Sequence, residues 1–313
     1  MTSRISRVMN AICRRSGAPV ARGELTLEPA FARDFLAWQT QRPLPETLSD
    51  TDLLVGCCRA LGLDLVCLQA ENSGEGEAPP GNPAAVRQIA DQGLFVFWVV
   101  NGAFQTAMTQ GEMMAFLMKI AAAPETVGAQ LERLSERVTA AMAEGVAAGA
   151  HGIILADDIA YQQSTYISPT FVERHLLPVW RRQTAFAREL GVPVFFHSDG
   201  NLKPVLSYIA AAGFDGLQCM EPSAGMDLVE IKKTYGGDLC LMGNIDPALL
   251  SEPDDPEGAG NLHEPLRSAV KDVMAAAAGG GVIFGTCSGL YEGMSPARVD
   301  YMYRLVSELD PAT

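Results

Sequence analysis

Short runs of β-favouring apolar residues alternate along the chain with longer amphipathic segments. The apolar runs are Pro19–Leu25, Leu63–Gln69, Leu94–Val100, Gly152–Ala156, Pro193–Phe196, Gly216–Met220, Leu239–Met242 and Gly281–Gly285. Hydrophobic residues fill them almost continuously, the pattern of parallel strands buried on both faces. Between them, helical patterning covers Gly111–Ala148, Pro169–Leu190, Leu202–Ala212, Leu228–Tyr235 and Leu262–Ala278. Asn82-Pro83, Ser168-Pro169 and Ser295-Pro296 each set a capping side chain before a proline suited to the first helical turn. Eight strands, each followed by helix, is the count that closes a (β/α)8 TIM barrel, an α/β fold. We expect residues 1–313 to form a single such domain. The polar stretches Glu71–Gly81 and Ser251–Gly260 read as loops after the second and seventh strands, too short to separate domains.

Composition narrows the partners. Of 313 residues, 48% are hydrophobic and 19% charged, which describes a globular chain with a large core. The net charge of −14 repels phosphate backbones and anionic lipid, so neither nucleic acid nor a membrane surface is expected as a partner. Seven cysteines, at 13, 57, 58, 67, 219, 240 and 287, show no framework spacing and sit mostly in apolar runs, which points to a reducing, cytoplasmic setting. The basic segment Met1–Gly17 lacks the apolar stretch of a signal peptide, and no apolar run reaches the roughly 18 residues of a membrane span.

In a TIM barrel the reactive groups sit where strands run into loops, at one mouth. The polar residues at those ends are Glu24, then Gln69 and Glu71, Asn101, Asp157 and Asp158, His197 with Ser198 and Asp199, Glu221, Asn244 and Asp246, and Cys287. Such a set can bind a metal, relay protons, or both. The segment Val194-Phe195-Phe196-His197-Ser198-Asp199-Gly200-Asn201 is the most informative. Residues two apart on an extended chain share a side, so His197 and Asp199 can face one ion; alternatively, Asp199 caps the next helix. Asp157 and Asp158 point opposite ways, so at most one faces the site and the other binds backbone amides. Glu221 is a ligand, a proton-transfer group or a cap partner. Cys219 and Cys240 read as core, as do the near-helically spaced Met108, Met113, Met114 and Met118. His151, His175 and His263 carry no chemistry in this reading.

At these residues the chain resembles the uroporphyrinogen decarboxylase superfamily, over nearly its whole length. The resemblance rests on Asp157-Asp158 followed by Ile167-Ser168-Pro169, on Gly213-Phe214-Asp215-Gly216, on Gly243-Asn244-Ile245-Asp246-Pro247 and on the glycine-rich eighth strand. It implies a (β/α)8 barrel with Asp157, Asp158, Glu221, Asn244 and Asp246 as candidate catalytic residues. True decarboxylases carry an N-terminal Arg-Gln-Ala-Gly-Arg segment that grips the tetrapyrrole carboxylates. The matching stretch here, Ala18–Leu25, holds only Arg22, and several carboxylates need several cationic donors. The other branch holds cobalamin-dependent methyltransferases with a zinc site of His-x-Cys-Gly after strand five and a second Cys after strand eight. His197-Ser198-Asp199-Gly200 resembles the first motif with Asp for Cys, and Cys287 falls one residue early for the second. The resemblance therefore implies zinc at His197, Asp199, Glu221 and Cys287. It also implies methyl transfer between a corrinoid, methylcobalamin on a partner protein, and a thiol or similar small acceptor. Two other readings stand beside it: a divergent decarboxylase of a tetrapyrrole or other carboxylate, and a barrel that only binds a corrinoid or tetrapyrrole. A homodimer is left open.

Overall fold

A computed structural model of the chain describes residues 2–70, 80–251 and 264–310. Eight parallel strands form a nearly closed barrel: β1 (Ala21–Arg22), β2 (Leu65–Ala70), β3 (Phe95–Asn101), β4 (Gly152–Ala156), β5 (Val194–His197), β6 (Gly216–Gln218), β7 (Cys240–Ile245) and β8 (Val282–Thr286). The ladder runs unbroken from β2 through β8 to β1. At the seam the Asp64 amide donates to the Arg22 carbonyl (2.8 Å), and the Arg22 amide donates to the Asp64 carboxylate (3.1 Å). Parallel pairs Thr26–Leu27 with Gly289–Leu290, and Pro80–Gly81 with β2, extend the edges.

Each strand has two apolar faces. Leu65, Cys67, Phe95, Phe97, Val99, Ile154, Phe195, Cys240, Met242 and Ile283 fill the barrel interior. Alternate residues such as Val66, Val96, Trp98, Leu155, Phe196, Leu241 and Phe284 pack outward against the helices. Double burial is why the strands read as continuous apolar runs. The N-terminal helix α1 (Arg4–Ile12) buries Val8, Ala11 and Ile12 in the interior cluster, closing the end of the barrel opposite the strand termini. The basic N-terminus is thus a plug, with Arg7 paired to the buried Asp64.

The expected strands are found within a few residues of their expected bounds. The long helix expected over Gly111–Ala148 is instead two, α6 (Met113–Ala122) and α7 (Pro124–Ala148), after a short α5 (Ala103–Met108). Pro124 cannot donate to the preceding turn, so the chain breaks before it. This corrects the reading of Met113, Met114 and Met118 as core, while Met108 does pack against the core as expected. On its own short helix, α6 buries only Phe116 and Ile120, leaving Met114 68% and Met118 66% exposed. The caps at Asn82, Ser168 and Ser295 form as expected, each side chain accepting from a first-turn amide. The helix begun at Pro169 passes through a π turn, Val172–Leu176, before α9 (Leu177–Glu189). No helix among the described residues is long and apolar enough to cross a membrane.

Candidate active site

The alternation that fills the barrel interior carries on past its apolar layers. The next inward positions, above Cys67, Val99, Ala156, Phe195 and Gly216, are Gln69, Asn101, Asp158, His197 and Gln218. A polar layer thus caps the apolar core at the strand ends. Gln69 Nε2 donates to Asn101 Oδ1 (3.2 Å). His197 is fully buried and its Nδ1 meets Gln218 Oε1, while its Nε2 lies 3.7 Å from Asp158 Oδ1. Asp158 Oδ1 also accepts the Asp199 amide (3.0 Å). Burial raises the Asp158 carboxyl above the ordinary range, and the facing His197 ring draws it back down.

The adjacent acids divide as expected. Asp157 points out to the helices, where Oδ1 accepts from the Gln105 amide (2.9 Å) and Oδ2 from Trp180 Nε1 (2.9 Å). Fully buried, it is pushed up to about 6 by desolvation, against the pull of those donors. It is a brace between α5 and α9, and Asp158 is the member at the mouth.

Above this layer, three strand ends bring Asp199, Cys219 and Cys287 together. Cys219, the residue after β6, would continue outward on extended backbone. It stands at φ +60° instead, and its thiol meets the Cys287 and Asp199 side chains. A left-handed conformation at a non-glycine residue is strained, and the turn it makes re-aims the thiol. Those contacts and burial push the Cys219 thiol well above its usual range, so it is held as the protonated thiol. Cys219 is buried, as the core reading expected, but that reading missed its thiol's contacts with Asp199 and Cys287, because alternation assumes extended backbone.

The loops around the mouth are stapled to one another. Gly200, at φ +84°, lies against the Tyr161 backbone, where an added Cβ would come within 2.7 Å. Asn201 donates to the Tyr161 carbonyl (2.9 Å), and Ser198 Oγ accepts the Ile159 amide (3.1 Å). Glu221 accepts from the Gly200 amide (3.2 Å) and the Ser223 hydroxyl (2.6 Å). Asn244, at φ +88°, donates to the carbonyls of Met220 (2.7 Å) and Met226 (3.1 Å), bracing the loop that carries Cys219 and Glu221. Asp246 caps the short helix after β7 by accepting the Ala248 amide (2.9 Å). The structure therefore gathers His197, Asp158, Asp199 and Cys287, adds Gln218 and Cys219, and places Glu221, Asn244, Asp246 and Asp157 as braces around them. His151 serves the backbone, accepting from the Val96 amide (3.1 Å). Glu71 and His263 lie outside the described residues.

The donors expected for zinc have suitable chemistry: imidazole, carboxylate and thiol. Their arrangement does not fit an ion as it stands. Among the described residues, no three His, Cys, Asp or Glu side chains could hold a metal ion. His197 Nε2 faces Asp158, and Glu221 is engaged by Gly200 and Ser223.

Arg22 is absent from the mouth. Its side chain donates to Ser307 (2.7 Å) and lies 3.9 Å from Asp310, on the C-terminal helix α14 (Pro296–Leu309) and just beyond it. One side of the rim is nearly free of charge. Residues 102–122 and 159–171 contain only Glu112 and Lys119 as charged residues. The exposed Met114 and Met118 lie on this side, as do Tyr161 and Tyr166, whose rings stack 5.3 Å apart. A cavity of about 350 Å³ nearby is lined by Leu117 and Ile120 of α6 and by Tyr166 and Phe171, with Glu125 and Arg174 also in its wall.

Comparison with known proteins agrees with this architecture. The family model described as uroporphyrinogen decarboxylase (URO-D) matches residues 89–309. A methyltransferase from Methanosarcina mazei superposes with a TM-score of 0.75 at 18% identity, covering 98% of this chain and 99% of that one. An L-ribulose 3-epimerase superposes with a TM-score of 0.52 at 11% identity, covering 90% and 92%. Both likenesses are of fold. No curated protein matches in sequence.

Proposed function

The chain belongs to the uroporphyrinogen decarboxylase family, and from that premise we propose that it is a methyltransferase acting between a corrinoid and a small thiol or similar acceptor. The corrinoid is methylcobalamin carried by a partner protein. The observation that carries the reading is the mouth itself, where His197, Asp158, Asp199 and two thiols meet and Arg22 is turned to the far side of β1. A tetrapyrrole with several carboxylates finds no guanidinium from that strand. The full-length likeness to a methyltransferase supports the same branch of the family.

The chemistry asked of the chain is modest. A free thiol has a pKa of about 8.5 and is mostly protonated near neutrality. In the proposed reaction the acceptor thiol gives its proton to His197 Nε2, and the nearby Asp158 carboxylate stabilises the charged ring. The thiolate then attacks the methyl carbon. A carbon–sulfur bond forms as the bond from methyl to its carrier breaks, and that bond's electron pair stays with the carrier. The proposal carries no metal step, because the expected zinc donors do not form a ligand set as they stand. The charge-poor rim of Met114, Met118, Tyr161 and Tyr166 is where the partner protein docks, since low charge with adaptable Met and aromatic side chains suits an interface core.

The test is methyl transfer from methylcobalamin to a panel of small thiols, followed by loss of the methyl–cobalt absorbance. We expect turnover, and at least a hundredfold loss in His197→Ala, in the range of a general-base deletion, about 10²–10⁴-fold. Absence of transfer to any thiol, with a folded protein, overturns the reading. Metal analysis on the same preparation, made without added metal, decides the zinc question. About one ion per chain, lost in His197→Ala, would restore the four-residue set.

A further inference from the structure

The proton position on His197 is decided by residues outside the ring. Gln218, the last residue of β6, is the register partner of His197 on β5 and is itself fully buried. Its Nε2 donates to the Cys287 carbonyl oxygen at 3.0 Å. That carbonyl is in turn held in place, since the Cys287 amide donates to the Ile245 carbonyl (2.8 Å). A carbonyl oxygen only accepts, so the amide end facing it must be the NH2 group. The other end, Oε1, then faces His197 Nδ1, and it too only accepts. Reversing the amide would set two oxygens against each other at the Cys287 contact.

We infer that Gln218 is a positioning residue that locks His197 in the Nδ1–H form and keeps the Nε2 lone pair towards Asp158 and the mouth. This lock works against the neighbouring charge. Facing a carboxylate 3.7 Å away, a neutral ring left to itself favours its proton on Nε2. Gln218 holds the proton on the other nitrogen, so Nε2 is a proton acceptor beside a group that stabilises the charged ring once the proton arrives. The relay runs from His197 on β5 through Gln218 on β6 to the Cys287 carbonyl just past β8, and buried amides keep water from competing for it. The consequence for turnover rests on the methyl-transfer reading; the tautomer does not.

The experiment is ¹H–¹⁵N spectroscopy of the full chain labelled at histidine ring nitrogens, under alkaline conditions that keep the ring neutral. His197→Gln identifies the resonance. In the wild type the proton should sit on Nδ1. In Gln218→Leu it should move largely to Nε2, and kcat should fall by about 10–100-fold with KM little changed, as for loss of a partner that orients a functional histidine. If Gln218→Leu does not fold, Gln218→Met, closer in shape, replaces it. A wild-type proton on Nε2, or a proton that stays on Nδ1 in a folded Gln218→Leu protein, overturns the inference. A tautomer that moves as expected in a protein without methyl transfer leaves the lock standing and removes only the proposed reaction.

Discussion

Single residues here are governed by burial. Glu24, 2% exposed, accepts from the Thr286 amide (3.0 Å) and from the Thr286 and Tyr303 hydroxyls, binding β1 to β8 and α14. Desolvation outweighs those donors and raises its pKa from 4.5 to about 7. The folded state therefore holds this proton more tightly than the unfolded chain does. The stabilisation is complete below about pH 4.5 and is lost as pH rises through about 7, a difference of roughly 3 kcal/mol at about 1.4 kcal/mol per unit. Denaturant titrations between pH 4.5 and 8 should show stability falling, with the fall reduced in Glu24→Gln. Asp157, raised to about 6, contributes in the same direction and keeps some slope in that variant. Identical slopes in the two proteins would show that Glu24 is not the titrating group. Tyr303 and the neighbouring Cys57, Cys58 and Cys67 are all raised further and stay neutral across this range.

At the scale of elements, the break before Pro124 matters most. It frees α6 from the long α7 and leaves an apolar helix with two methionines in solvent beside the stacked tyrosines. If this rim receives the partner protein, Met114→Lys with Met118→Lys should raise KM for protein-borne methylcobalamin at least tenfold, the effect of losing about 1.4 kcal/mol of contact. The rate with free methylcobalamin should stay near wild type, because neither residue reaches His197. Equal losses with both donors would place the defect inside the barrel and not at a docking surface. Both side chains are exposed, so the variants should melt close to wild type.

For the whole molecule, charge and topology point the same way. A chain of net charge −14 repels a substrate bearing many carboxylates unless the mouth supplies local cations. The guanidinium of β1 is instead engaged with Ser307 and Asp310, among the elements that hold the barrel together. We therefore expect no coproporphyrinogen from uroporphyrinogen incubated with the pure protein, under conditions where a true decarboxylase converts it fully. Detectable product would reverse the order of the two enzymatic readings.

The sequence by itself determined the barrel, its strand order, the proline-marked helix starts and the level at which His197, Asp158 and Asp199 stand. These follow from local rules: burial on both faces writes continuous apolar runs, and alternation tells that only one of two adjacent acids turns inward, while the structure decided that it is Asp158. The helix break before Pro124 was equally local, but the expected helix over Gly111–Ala148 ran across it, although the proline was its signal. Only the tertiary structure decided which candidates work on the backbone. Nothing local distinguishes Glu221, Asn244 and Asp246 as braces from ligands, since their partners lie on other loops or depend on how the loop turns. Nor could alternation find Cys219, whose left-handed backbone turns its thiol to Asp199 and Cys287. Gln218 looked like one more residue of a buried strand. Its role exists only because barrel closure brings the Cys287 carbonyl within 3.0 Å of one end of its amide and His197 against the other. Contacts between strand ends far apart in sequence are set by the closed sheet, and no spacing along the chain encodes them.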